Sequence, residues 1–212
     1  MEKKEISKSV LKRLPVYLSY LKSLPEGSAV HISATTLANA LGMGEVQVRK
    51  DLAMVSDGGR PKVGYHREGL MEDISQFLGY DNTTDAILVG AGKLGQALLG
   101  YGGFEAYGLN ILAAFDVNPL LSQTDEGKPI LPMEEMENFC YTNKVLMGII
   151  TVPADQAQQV CDKMIACGIK AVWTFAPVHL DVPDHILVQN ENMATSLALL
   201  SMHLQAQIKE KK

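Results

Sequence analysis

The chain has 212 residues, enough for two domains, and 47% of them are hydrophobic, an ordinary globular fraction that excludes bulk disorder. No apolar run approaches the roughly 18 residues of a membrane span, and the opening MEKKEISKSV lacks the apolar stretch of a signal peptide, which points to a cytoplasmic protein with no membrane partner. Net charge is −5, and the three cysteines (Cys140, Cys161 and Cys167) form no CxxC pair, which argues for reduced, buried structural thiols and no metal site.

Charge divides unevenly along the chain. Residues 1–80 carry 11 Lys+Arg and 9 Asp+Glu, net +2, and residues 81–212 carry 8 and 15, net −7. A basic first half suits a polyanion, provided its charge clusters on one face. Ser7 to Leu24 reads as a helix, with Val10, Leu14, Tyr17, Leu18 and Leu21 in one apolar stripe. Pro15 predicts a kink or a true start near Leu14, and Pro25-Glu26-Gly27 breaks the chain. Ser33 can cap a helix with Leu37, Ala38 and Leu41 inside, ended by Gly42. The turn Met43-Gly44 leads to a second helix with Val46, Val48, Leu52 and Val55 as its apolar set.

Helix, tight glycine turn, helix is the helix-turn-helix pattern, whose second helix enters the major groove of double-stranded operator DNA. Glu45, Gln47, Arg49 and Lys50 are the polar residues available there. Arginine and glutamine suit bidentate base contacts, and lysine suits phosphate. An ordinary helical hairpin with a solvated polar face is the alternative. Ser56 to Tyr65 holds three glycines and a proline and reads as a β-hairpin, the wing of a winged helix. Arg60 and Lys62 would lie against phosphate or in the minor groove. Arg67 to Leu78 reads as a linking helix.

Gly79 to Thr84 is a polar break. The strand Ala86 to Val89 follows, then Gly90-Ala91-Gly92-Lys93-Leu94-Gly95 and the helical Gln96 to Leu99. This GxGxxG stands after a strand and opens a helix, where a dinucleotide fingerprint belongs: Gly90 for the turn, Gly92 for close approach of the pyrophosphate, Gly95 for helix packing. Ile111 to Phe115 is a second strand ending in Asp116, which would accept hydrogen bonds from the adenosine ribose and repel a 2′-phosphate, favouring NADH and NAD⁺. An acid satisfying local amides is the alternative. Val145 to Val152 and Ile169 to Phe175 read as strands, and Pro153-Ala154-Asp155 opens a helix faced by Ala157, Val160, Cys161, Met164 and Ile165, capped by Gly168. His185 to Val188 reads as a last strand. Such alternation predicts a doubly wound parallel sheet covered on both faces. Thr151-Val152-Pro153 and Phe175-Ala176-Pro177 should border the cleft at the strand carboxyl ends. Ala194 to Ile208 forms a final helix with Leu197, Leu200, Leu204 and Ile208 apolar, which points to a partner subunit or to packing on its own domain.

These residues together closely resemble the Rex family of redox-sensing transcriptional repressors, over about Ser9 to Leu204. The resemblance rests on RLPVYLSYL (Arg13 to Leu21), VRKDL (Val48 to Leu52), VGY (Val63 to Tyr65), VGAGKLGQAL (Val89 to Leu98), AAFDVNP (Ala113 to Pro119), ITVPA (Ile150 to Ala154) and FAPVHLDVP (Phe175 to Pro183). It implies a homodimer whose C-terminal helix is exchanged between subunits, and DNA that is released when NADH closes the dimer but held with NAD⁺. It further implies a switch, in which an acid near the C-terminal helix pairs with the arginine matching Arg13 on DNA and with the tyrosine matching Tyr101 beside the nicotinamide. Here that acid is replaced by Asn192. Met54, Val55, Ser56 and Gly58 also replace residues usually aromatic or glycine in the family. The expected organisation is a winged-helix domain over 1–80, a Rossmann-like NAD(H) domain over 81–190 and an exchanged helix over 191–212. The alternatives are an NAD-dependent oxidoreductase, for which His179 and His185 are the nearest acid–base candidates, and a CoA- or nucleotide-binding module. No catalytic constellation of Ser-Tyr-Lys or His-Asp type is present in the sequence.

Overall fold

The computed structural model describes residues 7–25, 27–118 and 127–210. Residues 1–6, Glu26, Pro119 and residues 211–212, which carry parts of the reading above, lie outside the described residues. The chain divides into two compact units, 1–82 and 83–212.

In the first unit, α1 spans Lys8–Ser23 and is capped by Ser7, whose hydroxyl accepts from the Val10 amide. The helix therefore starts there and not near Leu14. Pro15 lies inside it and leaves one carbonyl without its helical donor. The helix persists because Val10, Leu14, Tyr17, Leu18 and Leu21 are all buried in one core with Leu37, Leu52, Leu70 and Ile74. Burial of five such side chains, about 1.5–3 kcal/mol for each aliphatic one, outweighs one proline. Next come β1 (His31–Ile32), α2 (Ala34–Leu41), α3 (Glu45–Val55), β2 (Tyr65–His66) and α4 (Arg67–Leu78). Ser33 caps α2 through the Thr36 amide, and Gly42 and Gly79 end α2 and α4 in the left-handed conformation.

Two expectations are corrected in this unit. The segment Ser56 to Tyr65 is no regular hairpin: it closes through a single bridge, Arg60 to Gly64, and β2 pairs antiparallel with β1. A two-residue strand is too short to show alternation in sequence. Val46 is not part of the inner face of α3, which buries Val48, Asp51 and Leu52. Two residues along a helix is a turn of about 200°, so Val46 points the other way and is 65% exposed.

The second unit is built on β3 (Thr84–Val89), β4 (Leu109–Asp116), β5 (Ile130–Pro132), β6 (Met147–Ile150), β7 (Ala171–Thr174) and β8 (Leu187–Asn190). All pairings are parallel, in the order β5-β4-β3-β6-β7-β8. Ile87 and Val89 of β3 point into one core with Phe115, Cys161 and Met164, while Ala86 and Leu88 point into a second with Leu99 and Ile149. Both faces are thus apolar, as a doubly wound sheet requires. The helices are α5 (Lys93–Leu99), α6 (Met136–Asn143), α7 (Ala154–Ala166) and α8 (Met193–Glu210), with a 3-10 turn at Gly102–Tyr107. β5 and α6 were not expected. Cys140 and Cys161 are buried and free, and burial, with Cys167 nearby, pushes the Cys140 thiol up to about 11. Leu197, Leu200, Leu204 and Ile208 of α8 are all exposed, so the helix does not pack on its own unit through that stripe. The sheet has an apolar hollow of about 410 Å³ over Leu109, Met147, Trp173 and Leu187. No helix among the described residues is long and apolar enough to cross a membrane.

Candidate functional site

Strand order reverses between β3 and β6, since the chain leaves β3 for β4 and β5 on one side and returns to β6 on the other. A crevice outside the carboxyl ends of the strands forms at such a reversal. Gly90, Gly92, Asp116, Thr151, Val152 and Pro153 all line one cleft of about 250 Å³ there, with Val117, Met133, Gln156 and Val160. The last four were not expected in the cleft, although Gln156 stands in the first turn of the helix that Pro153 opens and Val160 was expected on its apolar face.

The three glycines have separate reasons. Gly90 turns the chain at φ +102°, and a Cβ there would lie 2.8 Å from Val152 Cγ1. A Cβ on Gly95 would lie 1.9 Å from the Gly90 carbonyl oxygen, so only glycine lets α5 close on the loop. Gly92 has nothing within 4 Å of that position, which leaves the loop backbone open to a ligand. Thr151 Oγ1 donates to the Gly90 carbonyl at 2.6 Å, and Gln96 Nε2 donates to the Ala91 carbonyl at 2.7 Å. Asp116 accepts from the Ala91 amide through Oδ2 at 2.6 Å and from the Asn118 amide through Oδ1 at 2.8 Å. The acid therefore meets local amides, yet each carboxylate oxygen keeps a further lone pair for a ribose hydroxyl. An open glycine, an acid at the next strand end and a crevice at the reversal fit a dinucleotide.

Lys93 and Leu94 open α5 beside the loop. The Phe175 amide donates to the Ile150 carbonyl at 2.9 Å, which sets Phe175-Ala176-Pro177 beside the end of β6. Phe175 continues a ladder of rings: Trp173 at 4.6 Å, then Phe104 at 5.8 Å, then Tyr101 at 4.9 Å, the last 57% exposed. Asn192 Oδ1 accepts from the Thr195 amide at 3.0 Å and so caps α8.

In the first unit Gln47, Arg49 and Lys50 are exposed along α3, and Arg49 is paired with Glu45 one turn back. Arg49, Arg60 and Lys62 line a hollow of about 420 Å³ with Ser33, Thr35 and Tyr65, and no acid is among its described lining residues. Gly64, at φ +91°, lets the basic turn close on β1, since a Cβ there would lie 2.4 Å from the Ile32 carbonyl oxygen. Lys62 takes φ +65°, a conformation that disfavours side chains.

Arg13 meets an unforeseen partner. Its Nε donates to Asp51 Oδ2 at 2.7 Å and an Nη to Oδ1 at 2.9 Å, and the Tyr17 hydroxyl donates to Oδ2 at 2.8 Å. Asp51 belongs to α3, so the network ties α1 to α3. The Asp51 side chain is 5% exposed and that of Arg13 19%. Asp51 holds the Arg13 guanidinium well above its ordinary range, and burial, then Asp51, pushes the Tyr17 phenol up to about 12.

Residues 5–53 match a family described as "Putative DNA-binding protein N-terminus", and residues 81–178 one described as "CoA binding domain". A relative in Clostridium beijerinckii, the redox-sensing transcriptional repressor Rex, is 42% identical over 202 residues, 94% of this chain and 96% of its own length. Among solved structures, RSP in complex with β-NAD⁺ and operator DNA superposes with a TM-score of 0.88 at 35% identity, over 99% of this chain and 97% of that one. RSP in complex with β-NADH gives 0.85 at the same identity, over 99% and 100%.

Proposed function

The chain belongs to the Rex family of redox-sensing transcriptional repressors, and from that premise we propose that it binds a palindromic operator as a homodimer and loosens its hold when NADH fills the glycine cleft. It is a regulator and not an enzyme, its cofactors are NADH and NAD⁺, and it acts in the cytoplasm, where its operator is. The observation that carries the reading is the presence on one chain of a helix-turn-helix with a hollow lined by Arg49, Arg60 and Lys62 and a glycine cleft with Asp116 at its rim. The exposed stripe of α8 and the apolar hollow over Trp173 support a dimer in which each C-terminal helix is covered by the other subunit.

The test is operator affinity with saturating NADH and with NAD⁺. NADH should weaken binding and NAD⁺ should not. Equal affinity in both would overturn the reading. The same assay examines the switch proposed for Arg13, Tyr101 and Asn192. Asparagine keeps the size and cap of an aspartate but lacks its charge, and a charge-assisted bond is roughly twice as strong as a neutral one. NADH should therefore release DNA incompletely, and Asn192→Asp should sharpen the response. An unmodified protein that already loses operator several hundredfold, with no gain in the variant, would assign coupling to other residues.

Two further outcomes are expected. NADH should bind far better than NADPH, because the 2′-phosphate meets the fixed charge of Asp116, and Asp116→Ala should narrow that gap. Calorimetry with both nucleotides decides it, and equal binding to the unmodified protein counts against Asp116. Lys62→Gly should relieve the left-handed backbone and raise the stability of the first unit by about 0.5–1 kcal/mol. It should weaken DNA binding for every sequence alike and lower the salt slope by about 1. Thermal melting and salt titration check the two signs separately.

A further inference from the structure

The outward face of α3 carries an apolar residue that the fold does not use. Val48, Asp51 and Leu52 hold the helix to its unit, and the opposite face is the stripe Val46, Lys50, Ala53, spaced by four and three residues. Val46 lies at the centre of that face in the first turn, 65% exposed. It is flanked by Gln47 and by the Arg49–Glu45 pair. A lone exposed aliphatic residue is ordinary on a protein surface. This one stands in the turn of a helix-turn-helix that meets base edges, and its β-branched side chain slightly lowers helix propensity while covering nothing.

We propose that Val46 reads a thymine methyl group in the operator's major groove, so that it sets base preference beside its polar neighbours. The inference rests on the DNA-binding reading above. The C5-methyl of thymine is the one apolar group that base pairs present in the major groove, and an aliphatic side chain distinguishes it from cytosine without a hydrogen bond. Lys50, one turn on along the stripe, and Gln47 supply the polar contacts that such a methyl contact sits between.

The probe is a duplex that the protein itself selects from a random pool. Each thymine of a half-site is replaced in turn, in both half-sites, by deoxyuridine, which removes the methyl and keeps the pairing and the O4 acceptor. One position should lose affinity by about fourfold per half-site, the effect of one buried methyl, and roughly sixteenfold for the palindrome. Val46→Ser, with an unchanged melting temperature because the site is exposed, should bind the thymine duplex with that same loss and be indifferent to deoxyuridine there. Uniform affinity at every position, or a loss that persists in Val46→Ser, overturns the contact while leaving DNA binding intact. A protein that selects no duplex overturns the contact and the DNA-binding reading together.

Discussion

Gly95→Ala is expected to lower NADH affinity on the order of 100-fold, equivalent to about 2.7 kcal/mol, and to destabilise the second unit by about 3 kcal/mol, the upper end for a forced shift in a packed interior. The added Cβ would lie 1.9 Å from the Gly90 carbonyl oxygen, a backbone atom that Thr151 also holds, so α5 and the loop must part. Gly92→Ala separates the two effects. Its Cβ meets nothing within 4 Å, so the melting temperature should stay and only nucleotide affinity should fall. Fluorescence titration of NADH beside thermal melting of both variants reads this out. A Gly95→Ala protein that melts normally would show that the loop relaxes without cost.

Arg13→Ala should cost the first unit about 3–5 kcal/mol, the range for removing one partner of a buried ion pair. It leaves the Asp51 carboxylate, 5% exposed, with the Tyr17 hydroxyl as its remaining side-chain donor among the described residues. A small domain holds about 5–15 kcal/mol in total, so operator binding should be lost at ordinary temperatures while the second unit still binds NADH. Two separate melting steps, the first moved down, are the expected record. Arg13→Met with Asp51→Leu and Tyr17→Phe should recover much of the stability, since apolar side chains of similar volume replace the buried network and leave no buried hydroxyl unpaired. Tyr17 adds a pH signature. Its folded pKa of about 12 lies above the ordinary 10.0, so its contribution is complete below pH 10 and is lost as pH rises through 12. Alkaline titration of the Tyr17→Phe protein should lack that step.

Much of both units was legible in the sequence because local chemistry and long-range packing agree there. Ser33 and Gly42 bracket α2 as expected, and Gly90 to Gly95 run from the end of β3 into the first turn of α5, where a fingerprint has physical meaning. Asp51 was not legible, because a charged residue inside VRKDL looks like part of a polar face. Only the fold reveals that its helical position turns inward to meet Arg13, 38 residues away. Val46 failed for the mirror reason: an apolar residue near others was assigned inward, although two positions from Val48 it had to face out. β1 was missed because its partner lies beyond α2 and α3, and β5 because three residues carry no period. The aromatic ladder from Tyr101 to Phe175 draws on two segments about seventy residues apart, which no spacing rule connects.

The bond from the Ala91 amide to Asp116 bears on how this protein could change over generations. The carboxylate that would reject a 2′-phosphate also fastens the glycine loop and the Asn118 backbone. A lineage drifting towards NADPH could not simply lose the acid, because the first substitution would slacken the loop before any new phosphate contact existed. An uncharged acceptor such as asparagine is the natural intermediate, since it removes the repulsion and keeps one acceptor for Ala91. Cofactor preference at this position is thus harder to evolve away than a bare strand-end acid would be.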